Sequence, residues 1–376
     1  MSPDQRCVLI ERNTAELLTR GELLELLTAG TPVRHYIGFE ISGRVHLGAG
    51  LVCMAKIRDF LDAGVECSVL LADWHTWIND KLGADPELIR RVATGYFTEA
   101  LRAGLRCVGA DPDRVRFVLA SDLYRQAPDY WATVIEVSKN TTLSRMQRSI
   151  SILGREEGEG VDFAKLIYPA MQAADIFAQG ITLAHAGMDQ RKAHVIARDV
   201  ALRMRSRTGG PVAKPVAVHH PLILGLGKPP TWPILEQERR EMIAAMKMSK
   251  SKPSTAVFIH DDPDVIRRKI SRAFCAPRDV TFNPVLDWLR HLVFELDGRP
   301  LDIDRAERNG GPVTYAAYSD LEAAFTRGDL HAMDAKQALA DRLISRLEPA
   351  REHFAKPAMR AMLAEVEELT GASAGR

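Results

Sequence analysis

Arg34-His35-Tyr36-Ile37-Gly38-Phe39-Glu40-Ile41-Ser42-Gly43-Arg44-Val45-His46-Leu47-Gly48 is the stretch that decides the fold. Arg34 to Glu40 is a short apolar run that reads as a strand, and Ile41-Ser42-Gly43 as a turn. Leu47 to Ala63 then has helical periodicity, and Gly64 stands where a helix C′ glycine belongs. Val65 to Ala72 (VECSVLLA) is a second strand-like run, ending at Asp73. Strand, helix and strand in that order form a βαβ unit, which implies parallel strands with a right-handed crossover.

Working outward, residues 15–29 carry leucines at helical spacing and predict a leading helix. Helical stretches are expected around 86–103, 128–153, 162–178 and 187–205. Arg155 to Gly160 reads as an exposed charged loop. Val216 to His220 and Leu222 to Leu224 frame a further strand and its turn. Residues 225–255 are rich in Gly, Pro, Lys and Ser and read as linker and loop. From Asp261 the pattern is nearly all helical, with Ser319-Asp320-Leu321-Glu322 as a capping box and a frayed tail from Leu369. An α/β nucleotide-binding domain followed by a helical domain is expected.

The 376 residues suggest two domains. A hydrophobic fraction of 46% supports a sizeable core. Lysine plus arginine number 50 and aspartate plus glutamate 49. A purely electrostatic nucleic-acid binder would be strongly basic, so any such contact must come from local basic patches. The five cysteines are odd in number and lack CxxC spacing, which speaks against a disulfide framework or structural zinc and for a reducing cytosol. Met1 to Thr14 lacks an apolar signal core, and no run has transmembrane length. A cytoplasmic chain without a membrane partner is expected.

Two segments carry chemistry. His46-Leu47-Gly48 stands at the carboxyl end of the first strand, where open parallel sheets bind ligands against helix N-termini. Gly48 allows close approach to the backbone. His46 can donate to phosphate oxygens as charge develops, although a histidine at a helix start also serves as a cap. Gly225-Leu226-Gly227-Lys228 lacks P-loop spacing, and no GxGxxG follows a strand. The second segment, Lys247-Met248-Ser249-Lys250-Ser251, alternates lysines with small hydroxyls. Alone it is a solvated basic loop. Paired with the first segment, it becomes a loop that can close over a triphosphate. Tyr168, Gln172 and Asp175 fall at i, i+4 and i+7, one face of a helix.

The two segments resemble the HIGH and KMSKS signatures of class I aminoacyl-tRNA synthetases. The KMSKS match is complete, whereas the first signature has Ala49 in place of its second histidine. From about Arg34 to about Phe354 the chain looks similar to tyrosyl-tRNA synthetases of the archaeal and eukaryotic type. Tyr36-Ile37-Gly38-Phe39-Glu40, Ala72-Asp73-Trp74-His75, Tyr168 to Asp175, and Gly187 to Lys192 carry that resemblance.

The resemblance implies a Rossmann-like parallel-sheet catalytic domain with inserted helices, followed by an all-helical C-terminal domain. Its boundaries would be an N-terminal helical extension at 1–30, the catalytic domain at 31–225 with its inserted segment near 105–160, a linker with the KMSKS loop at 226–260, and a helical anticodon-binding domain at 261–376. The implied activity is tyrosine–tRNA ligation through tyrosyl-adenylate. ATP would meet Gly38, Glu40, His46, Gly48, Lys247, Ser249, Lys250 and Ser251, with His46, Lys247 and Lys250 catalytic. Tyr36 and Asp175 would hold the substrate phenol, a pairing that rejects phenylalanine because its polar groups would be left unpaired. Tyr168, Gln172 and Gln190 would hold the ammonium, and His75 would cap, orient or contact the same pocket.

Arg148, beside Arg145, would join Arg191 and Lys192 at the tRNA acceptor end. His331 and Asp334 would read the anticodon, Asp334 also fitting an N-cap, and an aromatic stacker is implied near 291–294. L-tyrosine, ATP and tRNA(Tyr) are the implied partners of a homodimer. Magnesium would accompany ATP, without a protein-bound cofactor or a protein metal site; His219-His220 reads as a turn. The alternatives are a synthetase-like paralogue that binds RNA or forms an adenylate without charging tRNA, and a nucleotidyl transferase that would not need the residues after about 260.

Overall fold

The structure is a computed structural model that describes residues 1–154, 162–204, 212–232, 239–307 and 310–371. Six strands form one sheet: β1 (Glu16–Leu18), β2 (Arg34–Phe39), β3 (Glu66–Leu71), β4 (Val115–Leu119), β5 (Leu183–Gly187) and β6 (Val216–His220). Their spatial order is β1-β6-β5-β2-β3-β4. β2 to β6 are parallel, with Tyr36 opposite Ser68 on β3 and Ala184 on β5. The expected βαβ unit is therefore present, its crossover helix spanning Met54–Asp62 with Gly64 left-handed at φ 74° just beyond. The order in which strands are added reverses between β2 and β5, and such switch points open a crevice at the strands' carboxyl ends.

Both faces of the sheet are covered. One core unites Ile37, Phe60 and Leu101 with Trp288, Phe325 and Val366, so N-terminal, sheet and C-terminal residues share one apolar interior. A second core packs Tyr36, Leu70 and Tyr130 against the helix Phe163–Ala178. Burial on both faces explains why β2, β3 and β6 read as nearly continuous apolar runs.

The N-terminal segment differs from the expected single helix over 15–29. It forms a helix Pro3–Glu11 with a Ser2/Gln5 capping box, then β1, then a helix Arg20–Thr28 capped by Thr19. Ala15 to Leu18 pairs antiparallel with β6 instead of coiling, the Ala15 N–H donating to the His219 carbonyl at 2.8 Å. β4 and β5 were not expected either. β5 reads Leu-Ala-His-Ala-Gly, whose alanines and glycine are poor strand formers that tertiary pairing overrides.

The C-terminal region is predominantly helical but adds a ribbon of β7 (Leu301–Ile303) and β8 (Val313–Tyr315), too short to show alternation in sequence. The helix Tyr318–Arg327 starts after Ala317 without a side-chain cap, so Ser319 to Glu322 is not a capping box. A helix Arg239–Met246 lies within the expected linker. The expected charged loop at 155–160 and the end of the tail, 372–376, lie outside the described residues. Among the described residues, no helix is long and apolar enough to cross a membrane.

The C-terminal end also reaches the nucleotide loop. Arg44 ion-pairs with Glu367 at 3.3 Å and lies 3.9 Å over the Phe258 ring, while the Val45 N–H donates to Tyr96 at 3.0 Å.

Burial has a consequence for acid stability. His35, His75, His185, His194, His219 and His220 are each at most 7% exposed. Most are joined in ring-to-ring chains: His35 to His185 at 3.2 Å, His185 to His220 at 2.9 Å, and His194 to His219 at 3.1 Å. Burial lowers all six, His35 and His75 to about 3 and His220 to about 4. A depressed native pKa stabilises fully above the unfolded value of about 6.5 and loses that stability as pH falls. Asp175 and Asp287, raised by burial to about 7 and about 6, work in the opposite direction. The depressed histidines outnumber the two raised aspartates, so unfolding near pH 5 is expected to take up protons on balance. Urea midpoints at pH 7 and pH 5 check this: the midpoint should drop at pH 5, and equal midpoints would contradict it.

Candidate active site

A cavity of about 460 Å³ opens at the carboxyl ends of β2 and β5. All fourteen residues assigned to ATP or tyrosine from the sequence line it, from Tyr36, His75 and Asp175 to His46, Lys247 and Lys250. Segments more than two hundred residues apart in sequence thus converge on one space.

At one end, the helix Phe163–Ala178 presents Tyr168, Gln172 and Asp175, with Asp162 capping its start by accepting from the Lys165 N–H. Asp175 is 1% exposed, and its Oδ1 accepts from the hydroxyls of Tyr124 at 2.9 Å and Tyr130 at 2.8 Å. These two rings stack with centroids 3.8 Å apart. Burial pushes Asp175 up to about 7, partly offset by the two hydroxyls. Tyr36 is raised well above its usual range, by burial first and by the Asp175 charge second. Tyr36 and Asp175 share the cavity without bonding each other, which leaves both available to a third polar group. His75 stays neutral beside them, its Nε2 3.6 Å from Asp175 Oδ2.

In the middle, Tyr168 donates to Glu40 Oε1 at 2.7 Å and Asn79 donates to the same oxygen at 3.0 Å. Gln172 donates to Gln190 Oε1 at 3.4 Å, and Gln190 donates to the Ile152 carbonyl at 2.9 Å. Gln172 Oε1 is buried without a hydrogen-bond partner, so it can accept from a cation with N–H groups.

The other end is cationic. The Gly48 N–H donates to His46 Nδ1 at 3.1 Å, which puts the proton of a neutral imidazole on Nε2. Burial, aided by Lys250 and Lys247, lowers His46 to about 3, so it is neutral and a single-proton donor. A Cβ on Gly48 would lie 2.8 Å from His46 Cε1, so only glycine leaves that ring in place. Lys247 pairs with Asp189 at 3.1 Å. Lys250 donates to Ser42 Oγ at 3.1 Å, lies over the Phe97 ring at 5.2 Å, and is lowered by burial to about 8. The KMSKS segment is tied down by Met248, whose N–H donates to the Ile223 carbonyl at 2.8 Å. The cavity therefore offers hydroxyl acceptors at one end and phosphate donors at the other.

The family model described as tRNA synthetases class I (W and Y) matches residues 28–348. The chain belongs to that family. This synthetase is 53% identical over 361 residues to the tyrosine–tRNA ligase of Thermococcus sibiricus, covering 95% of this chain and 96% of the relative. The tyrosyl-tRNA synthetase of Pyrococcus horikoshii, solved as a complex with L-tyrosine, is similar at a TM-score of 0.92 and 51% identity, over 99% of this chain and all of that one. The Aeropyrum pernix tyrosyl-tRNA synthetase follows at a TM-score of 0.82 and 42% identity, over 98% of this chain and 100% of that one.

The residues assigned to RNA lie outside the synthetase cavity. Lys192 donates to the Arg148 carbonyl at 2.6 Å and to Ser151 Oγ at 2.8 Å, while the Arg148 guanidinium donates to Ser144 Oγ at 2.6 Å. Arg191 is ion-paired with Glu16 of β1 at 2.8 Å, and Arg145 with Asp199 at 2.6 Å. His331, not Asp334, caps the helix Ala332–Arg346, accepting from the Met333 N–H at 3.2 Å. Asp334 lies in that helix's first turn with a buried Oδ2 that lacks a hydrogen-bond partner. Near 291–294, Leu292 and Phe294 are buried, and His291 contacts Asn13 at 2.8 Å and Glu295 at 3.3 Å. The sequence reading missed Tyr124, Tyr130, Asn79, Ser42 and Asp189 as partners. Tyr124 and Tyr130 have no local signal, because their hydroxyls meet Asp175 only after folding.

Proposed function

We propose that this chain is a tyrosine–tRNA ligase that activates L-tyrosine with ATP and transfers it to the 3′ end of tRNA(Tyr). The reading is carried by the cavity that joins Tyr36 and Asp175 at one end to His46 and Lys250 at the other. In the first step a tyrosine carboxylate oxygen bonds to the α-phosphorus of ATP. The α–β bridging P–O bond breaks and pyrophosphate leaves. In the second step a ribose hydroxyl of the terminal adenosine attacks the acyl carbon and AMP departs. Neither step needs a covalent enzyme intermediate, so positioning and charge stabilisation by the chain suffice.

Tyr36 and Asp175 hold the phenol, with Tyr124 and Tyr130 fixing the carboxylate. Gln172 Oε1 accepts from the ammonium, Gln190 orients Gln172, and His75 packs the pocket wall against Tyr168. Glu40 holds Tyr168 at the boundary between the two substrates. Gly38 and Gly48 let ATP approach the backbone, His46 Nε2 donates to the α-phosphate, and Lys247 and Lys250 with Ser249 and Ser251 neutralise the departing pyrophosphate. Magnesium arrives on the ATP phosphates; among the described residues no group of three or more His, Cys, Asp or Glu could hold a metal. Arg148, Arg191 and Lys192 meet the acceptor end, and His331 and Asp334 the anticodon. The chain acts as a cytoplasmic homodimer, with residues 31–225 catalytic and 261–376 reading the anticodon.

Tyrosine-dependent exchange of pyrophosphate into ATP tests the first step, and charging of tRNA(Tyr) transcripts the second. Exchange without charging would favour the paralogue reading, whose sequence support is Ala49 in place of a histidine. No exchange with tyrosine would overturn the proposal.

A further inference from the structure

Tyr96 is not among the residues that line the substrate cavity, yet its hydroxyl meets the backbone one residue before His46. It belongs to a single wide, π-helical turn, Ala93–Phe97, which joins the helices Pro86–Val92 and Thr98–Cys107 and is kinked at Gly95. Such turns recur at functional sites. The Tyr96 oxygen accepts from the Val45 N–H at 3.0 Å and lies 3.0 Å from His260 Nε2. A phenol carries one proton, so donation to Nε2 satisfies it and leaves the proton of a neutral His260 on Nδ1. The next residue of the turn, Phe97, lines the cavity and lies 5.2 Å from Lys250 Nζ. Two consecutive side chains of one turn therefore bear on the His46 segment and on Lys250.

The His46 segment is also held by a short antiparallel ladder. The Ile259 N–H donates to the Val45 carbonyl at 3.1 Å and the Leu47 N–H to the Val257 carbonyl at 3.1 Å, with His46 opposite Phe258. Val257 to Ile259 follow Lys250 by seven to nine residues, so the ladder joins the two signature segments. Two segments joined only to each other can shift together. The Tyr96 hydroxyl ties them to a third element, outside the ladder. Val45 is fully buried and Tyr96 is 2% exposed, so loss of that hydroxyl would leave a buried backbone N–H without its acceptor. A displacement of about 1 Å at a catalytic group can cost about 10²-fold in rate. We propose that Tyr96 is a positioning residue for adenylate formation: its hydroxyl bridges Val45 and His260 and so aims His46 at the α-phosphate. This inference rests on the ligase reading, because adenylate formation is the step it serves.

The test uses the full chain with Tyr96→Phe, which removes the hydroxyl and keeps the ring with its contact to Phe354 at 5.6 Å. In tyrosine-dependent pyrophosphate exchange kcat is expected to fall about 10- to 30-fold, with KM for tyrosine within about twofold. Unchanged kcat, or a loss carried by KM for tyrosine, would overturn the proposal. The deciding comparison is a double-mutant cycle with His46→Ala. If Tyr96 acts through His46, adding Tyr96→Phe to the His46→Ala chain should cost little more, whereas a hydroxyl that only holds the fold together costs the same factor in both backgrounds. A cost in the His46→Ala chain below a third of that in the wild type supports the proposal, and any larger share overturns it. Should Tyr96→Phe fail to fold, His260→Gln, which keeps an acceptor for the Tyr96 proton, is compared with His260→Leu, which does not. A kcat at least about threefold higher in the glutamine variant supports the bridge, and a smaller difference overturns it. Failure of the wild-type chain to exchange pyrophosphate would instead overturn the ligase reading, so the two failures are distinct.

Discussion

Asp175→Asn is expected to lower kcat/KM for tyrosine in pyrophosphate exchange by about 10²- to 10³-fold, with little change in KM for ATP. Asp175 is a buried carboxylate that accepts from Tyr124 and Tyr130 and faces the cavity beside Tyr36. A hydrogen bond to a buried charge contributes about 1.5–3 kcal/mol, and leaving its partner unpaired adds about 1–3 kcal/mol. The sum comfortably covers two to three factors of ten at about 1.4 kcal/mol each. The stability readout should move the other way. Burial raises Asp175 to about 7, so its charged form costs stability at pH 7 and above, and asparagine removes that cost. An unfolding midpoint at pH 8 that stays level or rises, together with the activity loss, is the expected signature. In the wild type, kcat/KM for tyrosine should also fall as pH drops below about 7, and this acid limb should vanish in the variant. Equal tyrosine kinetics in the two proteins would remove Asp175 from the phenol site.

Lys250→Ala is expected to reduce kcat for exchange by about 10²- to 10³-fold, the usual cost of removing one donor aimed at developing charge. Lys250 is held by Ser42 and Phe97 within the cavity. Burial lowers it to about 8, so the free enzyme loses this ammonium as pH rises past that value. The pH profile of kcat/KM for ATP should therefore fall on its alkaline side near 8. Bound ATP favours the charged form, so the same limb in kcat should lie higher. Lys250→Arg should abolish the alkaline limb while restoring part of the rate, since a guanidinium does not titrate in this range. Full activity in the alanine variant would assign pyrophosphate stabilisation to another group.

What the sequence made legible follows a physical rule. β2, its loop and the next helix could be read because each carries a local signal: an apolar run, a glycine at a turn, helical spacing closed by Gly64. The face formed by Tyr168, Gln172 and Asp175 was equally legible, because helix geometry alone aligns i, i+4 and i+7. Their partners were not. Tyr124 and Tyr130 flank the short break between two helices, and nothing in their spacing points to Asp175. The tie from Glu40 to Tyr168 joins the end of β2 to another helix. Arg191 looked like a free cation because its partner Glu16 sits on β1, a three-residue strand inside a leucine-rich helical pattern. Local chemistry names the groups, whereas their partners are set by long-range packing.

β1 is the first strand of the sheet to leave the ribosome, yet its partner β6 comes some two hundred residues later. At about 5–20 residues per second, synthesis keeps Glu16 to Leu18 waiting on the order of 10–40 s before Val218 and His219 exist. During that wait β1 has no edge to join. Once β6 forms, its outer backbone groups would be open to any passing strand, and an uncovered edge is a template for association between nascent chains. The first strand of the sheet in chain order thus acts as its last seal, and slow docking of that strand would expose crowded polysomes to co-aggregation long before any tRNA is charged.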